Sequence, residues 1–127
     1  MATKQIIKPA KVPAPVGPYN LAVRAGDLLF SAGQIPLDPA TGQLVPGDIK
    51  AQTGRVLENI RLILEDAGLS FRNVVKSTVF MTNLADFAAM NEVYAKSFPS
   101  EAPARSTVQV AALPRGAAVE IEVVAHY

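Results

Sequence analysis

Two polar residues stand inside otherwise apolar, strand-like stretches near the end of this chain. Arg105 opens the run Ser106-Thr107-Val108-Gln109-Val110, and Glu120 sits within Val119-Glu120-Ile121-Glu122-Val123-Val124. A guanidinium keeps its charge at any ordinary pH and presents a planar fork of donors. At the mouth of a sheet such a fork suits a carboxylate held by two parallel hydrogen bonds. A glutamate nearby would act on a water or a proton. The pair points to chemistry on a small carboxylic acid. Each residue also has a plainer use, since strand arginines often pair with a local carboxylate and strand glutamates often face solvent. Around Arg105, the small neighbours Ala104 and Ser106 leave room for a ligand to approach.

Alternation along a strand puts Glu120 on one face with Glu122 and Val124, and Arg105 on one face with Thr107 and Gln109. That parity permits Arg105 and Glu120 to share a cavity without requiring it. A tight hairpin through Pro114-Arg115 would set Arg105 opposite roughly residue 124 instead of Glu120. Their meeting therefore needs another sheet order or a neighbouring chain. Three further residues are candidates. Tyr19 follows Gly17-Pro18 and could close a pocket or simply join the core. Gly33 allows a close backbone approach, or only turns the chain. Asn91, beside Met90 on a helical pattern, could aim its amide at a site or at water.

The elements that would carry these residues can be read from the pattern. Residues 9–18 are proline-rich and should run extended over the surface. Leu21-Ala22-Val23-Arg24 and Leu28-Leu29-Phe30-Ser31-Ala32 read as strands around an Ala25-Gly26-Asp27 turn. Asp48 is the expected N-cap of a helix whose Ile49, Thr53, Val56, Ile60, Ile63 or Leu64, and Ala67 make a buried stripe. Gln52, Arg55, Glu58, Asn59, Arg61 and Glu65 are expected largely on its wet side, and Gly68 at its left-handed end. Val74 to Met81 reads as a central strand. Asn83 or Asp86 should cap a second helix bearing Phe87, Met90, Tyr94 and Phe98, with Pro99 past its end. Two strands follow around Leu113-Pro114-Arg115-Gly116. The order β-β-β-α-β-α-β-β, its first strand short, predicts an α+β layer with two helices on one face of a mixed sheet. The uncovered face looks too apolar for water, so oligomerisation through it is expected, with ligand sites between subunits.

Composition narrows the function. The 127 residues suit one domain with a real core, and 50% apolar against 18% charged residues argues for order. The formal net charge of +1 is too balanced for electrostatic binding to nucleic acid. There are no cysteines, which excludes disulfides, thiolate metal sites and a cysteine nucleophile. His126 is the one histidine, which disfavours a Ser-His-Asp triad and multi-histidine metal sites. With no signal sequence and no long apolar run, a soluble cytoplasmic protein with no membrane partner is expected.

Taken in order, Gly17-Pro18-Tyr19, Gly33-Gln34-Ile35-Pro36, Val74-Val75-Lys76-Ser77-Thr78-Val79-Phe80-Met81, Met90-Asn91-Glu92-Val93-Tyr94, Pro103-Ala104-Arg105-Ser106 and Val119-Glu120-Ile121-Glu122 resemble the RidA (YjgF) family over nearly the whole chain. The resemblance implies a chorismate-mutase-like α+β fold of about six strands, a single domain over 1–127, and a homotrimer with sites in the clefts between subunits. It implies hydrolysis of reactive enamines and imines such as 2-aminoacrylate, 2-iminopropionate and 2-iminobutanoate to 2-oxo acids and ammonia, with no metal or organic cofactor. By the family pattern Arg105 grips the substrate carboxylate and Glu120 handles the attacking water. Tyr19, Gly33, Asn91 and Thr107 line the pocket. Two positions depart from that pattern: Ala32 stands where the family often has serine, and Thr107 where many deaminating members have cysteine. The same pocket would serve a trimer that binds 2-oxo acids without turnover. Ribonuclease activity, a label carried by some members, fits less well with the charge and the single histidine.

Overall fold

The computed structural model describes residues 3–127. Helix α1 (Ile49–Asp66) begins where a short carboxylate side chain can take up an orphan donor, as Asp48 Oδ1 accepts from Ala51 N at 3.1 Å. Thr53, Val56, Ile60, Ile63 and Leu64 are buried along one stripe, and Gly68 follows the helix with φ of 79°. Asn59 departs from the expectation of a wet side and is only 1% exposed. It lies three residues after Val56 and four before Ile63, which places it on the buried stripe. Its polar atoms are satisfied there. Nδ2 donates to Leu37 O at 2.9 Å, and Oδ1 accepts from Arg55 Nε at 3.1 Å and Nη2 at 2.7 Å.

The second helix, α2 (Phe87–Ser97), starts differently from either simple expectation. Asn83 Oδ1 accepts from Ala85 N at 2.9 Å and caps a 3-10 turn over Leu84–Asp86, which runs into α2. Asp86 makes no side-chain capping bond. Met90, Tyr94 and Phe98 are buried, and the pair Lys50–Glu92 ties α1 to α2 at 2.8 Å on the outside.

The strands are β1 (Lys4–Ile7), β2 (Ala22–Ala25), β3 (Leu28–Ser31), β4 (Val74–Met81), β5 (Ala104–Gln109) and β6 (Val119–His126). They form one mixed sheet in the order β1-β2-β3-β6-β4-β5. The last two strands are not a hairpin, because β4 lies between them. β5 runs parallel to β4 after the crossover through α2, while β6 runs antiparallel to β4 and to β3. One face carries Ser77, Val79, Met81, Val119, Ile121, Val123 and Ala125, all buried. The other carries Phe30, Phe80, Val108 and Val124 with Lys76, Thr78 and Glu122; Phe30 is 43% exposed and Val108 42%. Among the described residues no helix is long and apolar enough to cross a membrane.

Candidate functional site

The site residues fall into two groups that the fold holds apart. Arg105 pairs in register with Ser77, and Glu120 with Phe80. Partners in a ladder share a face, so Arg105 lies on the helix-covered side and Glu120 on the open side. Within one chain they do not face a common cavity. The reason is the insertion of β4, which sets the registers of both neighbouring strands independently.

The first group sits at the sheet edge. β5 is outermost, so half of its backbone groups point away from the sheet. The Arg105 guanidinium carbon lies 4.7 Å from the centre of the Tyr94 ring and 5.5 Å from that of Phe87. Two aromatic faces on α2 thus form a platform that steadies the cation without using up its donors. Ser77 and Tyr94 hydroxyls share a buried hydrogen bond of 2.6 Å, which fixes the platform to β4. Asn91 lies on the same helical stripe, four residues from Phe87 and three from Tyr94. Thr107, two residues beyond Arg105, points the same way, and its Oγ1 is buried with no hydrogen-bond partner.

The second group surrounds a cleft of about 120 Å³ at the start of β6, bordered by Tyr19, Gly33, Pro114, Arg115 and Glu120. After Ser31 the chain leaves the ladder and rejoins it at Gln34, whose N–H donates to Ile121 O at 2.8 Å while Ile121 N–H donates to Gln34 O at 3.1 Å. This detour presses the Gly33 backbone against Glu120. A Cβ at Gly33 would overlap the carboxylate, lying 2.8 Å from Cδ. The glycine is required here for close approach, not for turning. Ser31 does not stand in for a hydroxyl at position 32, because its Oγ accepts from Val123 N at 3.0 Å and patches the interrupted ladder.

Burial, and secondly the charge of Glu122, push the Glu120 carboxyl above its ordinary value of 4.5. A carboxylate raised in this way is a better acceptor of a proton from water. Tyr19 stands 47% exposed at the cleft mouth and is not a core residue. Arg115 is a border residue that sequence reasoning did not assign. It holds a φ of 60° and donates from Nη1 to Gly42 O at 3.0 Å. The aromatic platform is also absent from the sequence reading, where Phe87 and Tyr94 stand out only by their helical spacing. Among the described residues, no three His, Asp or Glu side chains converge as a metal cluster would.

Residues 9–127 match the protein family described as Endoribonuclease L-PSP. A RutC family protein of Pyrococcus abyssi is 51% identical over 123 residues, covering 97% of each chain. A protein of Capra hircus named 2-iminobutanoate/2-iminopropanoate deaminase is 48% identical over 122 residues, 96% of this chain and 89% of that one. The crystal structure of RidA from an Antarctic Psychrobacter superposes with a TM-score of 0.93 at 46% identity, covering 97% of this chain and 99% of the other.

Proposed function

Because this chain belongs to the RutC/RidA family, we propose that it hydrolyses 2-imino and 2-enamino acids to 2-oxo acids and ammonia, in clefts that two copies of the chain build together. The observation that carries this reading is the division of the site. A guanidinium on an aromatic platform and a desolvated carboxylate lie on opposite faces of one sheet, each able to serve only half of the reaction. A half-apolar open face beside Glu120 supplies the means of joining them. Three copies around an axis would close such a head-to-tail contact and give three equal sites.

In the assembled cleft Arg105 of one copy holds the substrate carboxylate by its fork. Glu120 of the next copy takes a proton from water as the water oxygen bonds to the imine carbon; the C=N electrons move to nitrogen, and Glu120 passes that proton to the nitrogen. The carbinolamine then collapses: Glu120 takes the hydroxyl proton as the C=O bond forms, the C–N bond breaks with its electrons on nitrogen, and Glu120 gives the proton to the departing ammonia. An enamine such as 2-aminoacrylate enters this route as its imine tautomer. Asn91, Tyr19 and the backbone at Gly33 and Thr107 would orient the reacting carbon. Water is the only co-reactant, so the reading calls for no cofactor. The imine carbon is already electrophilic, and orientation with one base is adequate help. The reading places the protein in the cytoplasm, where it would intercept 2-aminoacrylate released by pyridoxal-phosphate enzymes.

Ribonuclease chemistry has less support, since His126 lies at the far end of β6 from Glu120, paired near Leu28. The test generates imino acids in situ with an amino-acid oxidase and follows their loss. Wild type should exceed the uncatalysed rate, and Arg105→Ala and Glu120→Ala should not. Wild-type loss at the uncatalysed rate removes the enzyme reading, and saturable 2-oxo acid binding without turnover would replace it with that of a binding protein.

A further inference from the structure

Two amide side chains of α1 reach past the helix to backbone on either side of Glu120. Gln52 Oε1 accepts from Ala118 N at 2.9 Å, two residues before Glu120. Asn59 Nδ2 donates to Leu37 O at 2.9 Å, four residues after Gly33. Glu120 therefore stands between Ala118, held by Gln52, and Ile121, bridged in both directions to Gln34. Gly33 stands between Ala32, whose N–H donates to Leu21 O at 2.8 Å, and the same bridge, beyond which Asn59 holds the chain at Leu37. The ladder from β3 to β6 stops at Phe30 and Val124, so on that side these tethers set where Gly33 lies against Glu120. Gln52 and Asn59 are two helical turns apart, about 10.5 Å along one face of a rigid element.

Packing alone does not call for these amides. Asn59 is buried in an apolar stripe where a leucine would fill the same place, and a buried amide costs free energy unless its bonds are made. Here they are made. The Arg55 guanidinium forms no ion pair among the described residues, and its Nε and Nη2 both donate to Asn59 Oδ1. Such charge-assisted bonds polarise the amide and strengthen its donation to Leu37. We infer that Gln52 and Asn59, the latter braced by Arg55, are positioning residues: α1 is a gauge that sets Gly33 against Glu120 from behind the cleft. The inference rests on the deaminase reading for the role of Glu120 as base. Asn59 borders the cleft, but its amide is turned to Leu37 and Arg55, and both residues act through backbone. Release of either tether would part the two walls and admit water to the carboxyl, relaxing the burial that raises it. The titratable and charged groups facing Glu120 are Glu122 on its own strand, Lys76 on the same open face, and Tyr19 and Arg115 across the cleft. All four remain in place when α1 is altered.

Two uncharged substitutions, Asn59→Leu and Gln52→Met, test this in the assembled protein. The Glu120 carboxyl resonance, assigned by its loss in Glu120→Gln, would be followed by NMR against pH. Its midpoint should fall toward 4.5 in both variants. For imines generated in situ, kcat should drop about 10- to 100-fold, the order expected for a base misplaced by about 1 Å. KM and the calorimetric affinity for pyruvate, set by Arg105 of the adjoining copy, should change by less than about threefold. A merely structural pair would lower Tm and leave the midpoint and kcat of the folded protein where they were. A midpoint that stays in place in either folded variant overturns the inference, as does a kcat within about twofold of an active wild type. If Asn59→Leu does not fold, Gln52→Met decides by the same readings. A wild type that turns over no imine removes the deaminase reading, and the midpoint still reports whether α1 sets the surroundings of Glu120.

Discussion

The Gly33 backbone lies where a Cβ would intrude on the Glu120 carboxylate, 2.8 Å from Cδ. The contact is made by the flexible end of the glutamate, so the fold can yield by moving the carboxylate aside. Gly33→Ala should therefore keep the protein folded and displace the base. A misplacement of about 1 Å costs roughly 100-fold in rate. The expected result is a kcat lower by about that factor with Tm nearly unchanged, measured by imine loss and thermal unfolding.

Glu122 shares the open face with Glu120, and its charge is the second cause, after burial, of the raised Glu120 pKa. In the proposed mechanism Glu120 acts as the base and must be ionised, so activity should rise with pH through a midpoint above 4.5. Glu122→Gln removes the like charge and favours ionisation of Glu120. The acid limb of kcat/KM should then move to lower pH. A pH profile of the two proteins decides it, and a limb that stays in place would separate Glu122 from the base.

Much of this arrangement is legible in the sequence. Strand β4 and the buried stripe of α1 follow from local periodicity, and Gly68 and Asp48 mark helix ends by their backbone needs. The residue types of Arg105 and Glu120 announce carboxylate chemistry. What could not be read is non-local. Insertion of β6 between β3 and β4 depends on pairings across many residues, while β5 and β6, adjacent in sequence, suggest a hairpin. Asn59 is buried although its polar type suggests the wet side, because its spacing from Val56 and Ile63 puts it on the buried stripe. Phe87 and Tyr94 share helical spacing with Met90 and Phe98, which suggests a common buried face; Tyr94 is buried, but Phe87 is 37% exposed. Their second use, under Arg105, appears only once β5 is laid beside α2.

The Ser77–Tyr94 hydroxyl pair is buried and bonded at 2.6 Å, so removing either partner strands the other. Tyr94→Phe and Ser77→Ala should each cost about 1–3 kcal/mol in denaturant unfolding. The double variant should cost less than the sum, because the second change removes the stranded group. Tyr94→Phe keeps a ring under Arg105 and should barely alter KM, whereas Tyr94→Leu removes it and should raise KM.

Arg105→Lys keeps the charge and loses the fork. If two charge-assisted hydrogen bonds shrink to a single-point contact, kcat/KM should fall by about 10- to 100-fold, at roughly 1.5–3 kcal/mol for such a bond. Arg105 is in contact with solvent at a sheet edge, so unfolding should show little change. Equal activity in the lysine variant would mean that the fork is not what holds the substrate.

The divided site makes its own demand on mixed assemblies. Arg105→Ala supplies an intact Glu120, and Glu120→Ala an intact Arg105, so each variant alone should be inactive. Unfolded together in equal amounts and refolded, they should regain activity. A site is whole only when the copy giving the guanidinium is Glu120→Ala and the copy giving the carboxylate is Arg105→Ala. With random head-to-tail assembly that holds for about one site in four. Recovery near a quarter of wild-type activity is the expected outcome. Phe30→Asp, which places a charge on the open face where Phe30 is 43% exposed, should lower the mass by light scattering and abolish turnover together. No recovery on mixing, or full activity in a monomeric Phe30→Asp protein, would mean that each chain carries a complete site of its own.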